Sequence, residues 1–141
     1  MRNRSTLTLM EQLLMVLIFS LASALCLQVF AKAHKMSHEI EMRDAAILLA
    51  QNAAEIIKGS GGDMQQAAAW MNAEKTDDVW AVYYDENGTV VTTEEDGQFR
   101  LEWNLVETQI ESLGKARINV FDLTDTAISI FGLDVMWQEV Q

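Results

Sequence analysis

Residues 13–31, LLMVLIFSLASALCLQVFA, carry no charge and no proline, and Ser20, Ser23 and Gln28 are their only polar side chains. As a helix this run reaches about 28 Å at about 1.5 Å per residue, close to the roughly 30 Å thickness of a bilayer's hydrocarbon core. A core helix of a soluble protein keeps a polar stripe along one side. This run has none, so it is expected to cross a membrane once. The chain then divides into a basic head (1–12), the membrane helix (13–31), a helical extension with its turn (32–62) and a last domain (63–141).

Charge divides at the same place. Residues 1–35 hold Arg2, Arg4, Lys32 and Lys35 against Glu11, a net of +3. Residues 36–141 hold 20 acids and 6 bases, a net of −14. So acidic a domain repels nucleic-acid phosphates and anionic lipid surfaces, which argues against DNA or RNA as partners. Basic residues flank the apolar run on both sides, so charge bias alone does not orient it. A short basic head before an apolar run is the layout of an export signal. It predicts a cytoplasmic N-terminus and an extracytoplasmic C-terminal domain.

Ala31-Lys32-Ala33 fits a small-x-small cleavage pattern, so removal of the run as a signal peptide is a second possibility; its length favours retention. Cys26 lies in the run and is the only cysteine, which rules out an intrachain disulfide and a multi-cysteine metal site.

Helical character continues past the membrane run. No Gly or Pro interrupts residues 36–58. Met36, Ile40, Ile47, Ala50, Ala54 and Ile57 recur at steps of three, four and seven and form one stripe. Gly59-Ser60-Gly61-Gly62 then ends the helix. One helix is thus expected from about Met10 to Lys58. Asp63 caps a short second helix running to about Glu74.

The period then changes to two. Val79–Tyr84 reads as a central strand, Asp85-Glu86-Asn87-Gly88 as a hairpin turn and Thr89–Thr93 as the return strand. Phe99, Leu101, Trp103 and Leu105 alternate with Arg100, Glu102 and Asn104, which marks a strand with one buried and one wet face. Ala116, Ile118 and Val120 alternate in the same way, and Thr124-Asp125 marks a turn. Ile128 and Ile130 share one parity, whereas Leu133, Val135 and Trp137 share the other. A bulge is therefore expected near Phe131-Gly132. The fold class is α+β, a long helix packed on an antiparallel sheet of about five strands.

Nothing in the chain assembles a catalytic constellation. His34 and His38 stand at i and i+4, and Glu39 or Glu41 could add an oxygen ligand, but no other His or Cys exists in the exported domain. No serine lies in a nucleophile-elbow pattern. The chain is expected not to be an enzyme and to need no cofactor, and no small-molecule substrate is indicated. Calcium is the one metal to weigh: Asp85 and Asn87 with Glu86, and Glu95 and Asp96 with Glu94, offer hard oxygen donors on loops. Neither group has the spacing of a calcium hand, and plain acidic turns explain both.

Glu11 stands at the entrance of the apolar run. A carboxylate beside hydrocarbon is costly and calls for a partner or a role. It either reaches the headgroup zone near Arg4 or Arg2, or it meets a group on another molecule.

The segment Leu7-Thr8-Leu9-Met10-Glu11, followed by Gln12-Leu13-Leu14-Met15-Val16-Leu17-Ile18, resembles the N-terminal motif of type IV pilins and type II secretion pseudopilins. Those proteins have a short basic leader, an apolar residue, Thr, two apolar residues, Glu and a long apolar helix. The motif covers about a dozen residues here, and the helix-then-sheet layout is similar over the whole chain. The resemblance implies a structural subunit that assembles with homologous subunits through the apolar helix. Glu11 would be the assembly residue, pairing with a neighbouring subunit's free amine. Leu7 would be the new N-terminus after cleavage behind Thr6. The family's leader ends in glycine, whereas this chain has Thr6 there. An uncleaved leader leaves no free amine at Leu7. The other reading is an uncleaved, single-pass anchored binding or sensing module.

Overall fold

The computed structural model describes residues 2–110, 112–124 and 128–139, with side chains from Arg4 onward. Its elements are α1 (Arg2–Gly59), α2 (Met64–Met71), β1 (Glu74–Thr76), β2 (Val79–Tyr84), β3 (Val90–Val91), β4 (Phe99–Leu105), β5 (Leu113–Asp122) and β6 (Ile128–Gln138). The chain separates into two compact units, residues 1–41 and 42–141.

The first unit is helix alone. Its apolar side chains are exposed all round, from Leu7 at 67% to Phe30 at 79%, and none of the most apolar window of α1 is buried. Thr8 Oγ1 donates to the Arg4 carbonyl at 2.9 Å and Ser20 Oγ to the Val16 carbonyl at 2.7 Å. The hydroxyls thus find partners on their own helix.

In the second unit, the end of α1 packs on the sheet. Its buried stripe is Ala46, Leu49, Ala50, Ala53, Ala54 and Ile57, flanked by half-buried Met42, Ala45 and Ile56. This corrects the expected stripe: Met36 and Ile40 are exposed and Ile47 is only half-buried. Alanine forms most of the contact because a small side chain lets the helix backbone approach the sheet closely. The helix ends at the glycine turn, where Gly61 and Gly62 take φ of +65° and +88° and Ser60 N donates to the Ile56 carbonyl at 2.9 Å. Asp63 Oδ1 accepts from Gln65 N and Gln66 N, at 3.0 Å each, and caps α2.

Helix α2 stops at Met71, three residues short of the expected Glu74. Asn72 takes the left-handed conformation (φ 53°) and closes the end of the helix with backbone bonds to Ala68 and Ala69. Glu74 instead opens β1.

The sheet has six strands rather than about five. Strands β2, β4, β5 and β6 form an antiparallel meander in that order, and β1 and β3 line the outer edge of β2. Strand β1 pairs with Val79–Ala81 of β2, while β3 pairs with Tyr83 and Tyr84. The return strand is shorter than expected, only Val90–Val91 of Thr89–Thr93. The expected bulge is present, one residue earlier than placed. Val120 pairs with Phe131 and Phe121 with Ser129, so Ile130 is the extra residue. It carries the switch of face between Ile128 and Leu133. Of the Thr124-Asp125 turn, Thr124 N donates to Asp122 Oδ1 at 2.8 Å; Asp125 lies outside the described residues.

One face of the sheet meets α1 and α2 through Val82, Tyr84, Phe99, Leu101, Trp103, Ile118, Val120, Val135 and Trp137. Each fully buried large side chain contributes about 1.5–3 kcal/mol. The Trp137 indole lies in a slot between Gly62 and Gly114, where a Cβ on either glycine would overlap the ring. The opposite face is polar. Asp134 takes two hydrogen bonds from Arg117, at 2.8 and 3.1 Å, and an ion pair from Lys115 at 2.8 Å. Arg100 Nε lies 2.8 Å from Glu102 Oε1, and its guanidinium stands over the Phe121 ring at 5.0 Å.

Candidate functional site

Glu11 is carried by the first unit, on the exposed surface of α1 where the apolar run begins. Among the described residues its carboxylate has neither an ion-pair nor a hydrogen-bond partner. Arg4, which sequence reasoning offered as one neighbour, makes no ion pair with it; the Arg2 side chain lies outside the description. Leu7 and Thr6 are one and two residues from Thr8 on the same continuous helix, and Leu7 is largely exposed. The helix was expected to begin at about Met10, with Thr6 and Leu7 in the head before it; it begins at Arg2 instead, so Thr6, Leu7 and Glu11 share one helical segment. An unpaired carboxylate beside a fully apolar helix surface can accept hydrogen bonds or a cation from another molecule, and it has no such donor among the described residues.

The loop acids form no comparable site. Asp85 Oδ1 accepts from the backbone N–H of Asn87 at 2.9 Å and of Thr89 at 2.8 Å, so this carboxylate builds the turn. Asp96 Oδ2 accepts from Thr93 Oγ1 at 2.6 Å, and Glu94 reaches Arg100 at 3.7 Å. Glu95 is exposed. No group of three or more His, Cys, Asp or Glu side chains is arranged to hold a metal among the described residues. His34 and His38 lie on an exposed stretch of α1 where Lys35 pairs loosely with Glu39 at 3.9 Å.

Sequence reasoning missed two features of the second unit. The first is the Arg117–Asp134–Lys115 cluster. Hydrogen bonds from Arg117 and then Lys115 hold the Asp134 carboxyl well below the ordinary carboxylate range, and Asp134 in turn raises the Arg117 guanidinium. Strand alternation put Arg117 on the wet face, but the pairing with Asp134 needed the register across the bulge. The second is a cleft of about 730 Å³ at the end of the sheet. It opens between the start of β2 and the β4–β5 connection, and Lys75, Trp80, Leu105, Glu107, Ile110 and Glu139 are among the residues that line it. Trp80 stacks on Trp103 with ring centroids 6.4 Å apart, and Lys75 Nζ stands 5.5 Å from the Trp80 centroid. Ile110 at its rim carries no periodic signal, and Leu105, expected on the buried face of its strand by alternation with Phe99, Leu101 and Trp103, is exposed instead, so no sequence pattern announces the cleft.

Chemically, the first unit offers a long apolar surface with one carboxylate at its entrance, and the second offers an open cleft of mixed polar and apolar lining. Compared with known proteins, the chain matches no family model, no curated protein and no solved structure.

Proposed function

We propose that the chain is a non-enzymatic, membrane-anchored structural subunit of the type IV pilin-like or type II secretion pseudopilin-like kind. In this reading α1 crosses the membrane once, with the basic head in the cytoplasm and the acidic domain outside. Neighbouring subunits associate through their apolar helices. The observation that carries the reading is Glu11: a carboxylate at the mouth of a wholly exposed apolar helix, with no partner in its own chain among the described residues. A group so placed gains most from a cation or amine on an adjacent helix, because hydrocarbon makes an unpaired charge expensive.

With Thr6 where the family carries glycine, the partner group need not be a freed amine at Leu7. The basic head of a neighbour, with Arg2 and Arg4, supplies cations of the same sign. The test uses two differently tagged copies of the full chain expressed in one membrane. Co-purification in mild detergent is expected for the native pair and for Glu11→Asp, and a drop of at least tenfold for Glu11→Ala, with membrane insertion unchanged. Undiminished association of Glu11→Ala removes the assembly role. The N-terminus of the mature protein, read by mass spectrometry, separates processing at Leu7 from an intact head.

The cleft at the end of the sheet favours a second reading, an anchored module whose domain binds a ligand or partner. Under that reading, changes at Trp80 alter function and Glu11→Ala does not.

A further inference from the structure

We infer that Asn87 is an acceptor site for an N-linked glycan. Asn87-Gly88-Thr89 is an asparagine–x–threonine triplet without proline, the pattern that oligosaccharyl transfer to asparagine requires. The structure places this triplet at the tip of the β2–β3 hairpin, where residues 86–90 are all exposed.

The reacting groups are uncommitted. Among the described residues the Asn87 carboxamide and the Thr89 hydroxyl make no hydrogen bond, and the turn is held by other atoms: Asp85 Oδ1 takes the Asn87 and Thr89 backbone N–H groups, and Gly88 N donates to the Asp85 carbonyl at 3.1 Å. A transferase therefore meets a free acceptor amide and a free hydroxyl on a protruding turn. Gly88 has φ of +76° and open space where a Cβ would be. The hairpin anchoring the turn is short, two residues of β3, which lets the loop deform into an enzyme's cleft without disturbing the core.

The other asparagines separate cleanly. Asn52, Asn72, Asn104 and Asn119 are followed two residues on by Ala54, Glu74, Val106 and Phe121, none of them hydroxylated. Only Asn3-Arg4-Ser5 repeats the pattern, and it belongs to the basic head.

The donor is a polyisoprenyl-pyrophosphate-linked oligosaccharide. In the transfer a bond forms between Asn87 Nδ2 and the sugar's anomeric carbon. The bond from that carbon to the pyrophosphate oxygen breaks, the lipid pyrophosphate leaves with its electron pair, and Nδ2 loses one proton. No oxidant or reductant is involved.

The inference rests on the outward placement of the acidic domain, so the test separates the two. The full-length chain is made in the presence of membranes that contain an oligosaccharyl transferase and its lipid-linked donor, and modification is read as a mobility shift and by peptide mass. One glycan is expected on the native chain, sensitive to an amidase specific for N-linked glycans. It should be lost in Asn87→Gln and Thr89→Ala and kept in Asn3→Gln. A control variant, Ile110→Asn, creates a new triplet with Ser112 in the exposed β4–β5 connection and should gain a second glycan. If the control gains a glycan and Asn87 carries none, the inference is overturned while the topology stands. If neither site is modified, or the only glycan disappears in Asn3→Gln, the outward placement fails and the inference with it. Conversion of Asn87 to an acid without added sugar also overturns it.

Discussion

The two ends of α1 are made of the same backbone and much the same apolar residue types, yet they solve opposite problems. Over residues 13–31 the large side chains point in every direction and none of the most apolar window is buried by protein. Over residues 42–59 the apolar content is gathered into a single stripe, mostly alanine, and residues such as Gln51, Asn52 and Glu55 take the water side. A helix that is apolar all round needs an apolar solvent, and a helix with one apolar stripe needs one apolar neighbour. The second end is already satisfied by its own sheet. The first is long and apolar enough to cross a membrane.

The largest expected effect breaks the first end. Leu17→Arg replaces a favourable residue by one that costs about 2.5–3.5 kcal/mol at the centre of a membrane helix. The fraction of chain resisting alkaline extraction from membranes should fall sharply, while thermal unfolding of the sheet domain stays unchanged. A shift in that unfolding would mean the two ends are not independent in the way the comparison requires.

The next effect falls on the second end. Ala50 is fully buried, and Ala50→Leu forces extra volume into the close helix–sheet contact at about 1–3 kcal/mol. For a domain of about 100 residues each kcal/mol lowers Tm by roughly 4–8 °C. Calorimetry should register this fall with membrane retention intact. No change in Tm would show that the alanine stripe is not a close contact.

The smallest effect concerns protons. Residues 13–31 hold no acid and no base, so the first end should be indifferent to acid, whereas the sheet carries Asp134. Its folded pKa is depressed by Arg117 and Lys115. Stability from such a group is present above the unfolded value of about 3.9 and is lost as pH falls below it toward the folded value. Native protein should therefore lose Tm between about pH 5 and pH 2, in part through Asp134, whereas Asp134→Asn should show a shallower slope there. Equal slopes would remove the Arg117–Asp134–Lys115 cluster from the account.

Much of this architecture was legible before the structure. Apolar continuity marked the first end of α1, the glycines marked its stop, and strict alternation marked β4 and β5. The parity conflict between Ile128 and Leu133 announced the bulge found at Ile130. Strand β1 was not legible, because Glu74-Lys75-Thr76 is wholly exposed and carries no apolar alternation. The stripe was read correctly at Ala50, Ala54 and Ile57 but misjudged at Met36 and Ile40, because periodicity weighs large side chains while close packing chose Ala46 and Ala53. Of the candidate site, Glu11 could be read because a lone charge at an apolar boundary is a local signal. The cleft around Trp80 could not, because it is assembled from strands and loops far apart in sequence.

Cys26, the only cysteine, makes the central contrast directly measurable. A nitroxide on Cys26 of the full chain in lipid vesicles can be compared with one at Gln51→Cys in a Cys26→Ala background, using dissolved oxygen and a water-soluble nickel complex as relaxants. The account predicts a label at Cys26 that responds to oxygen and ignores nickel, and a label at position 51 that responds to nickel. Equal response to nickel at both positions would contradict it, because residues 13–31 would then lie in water.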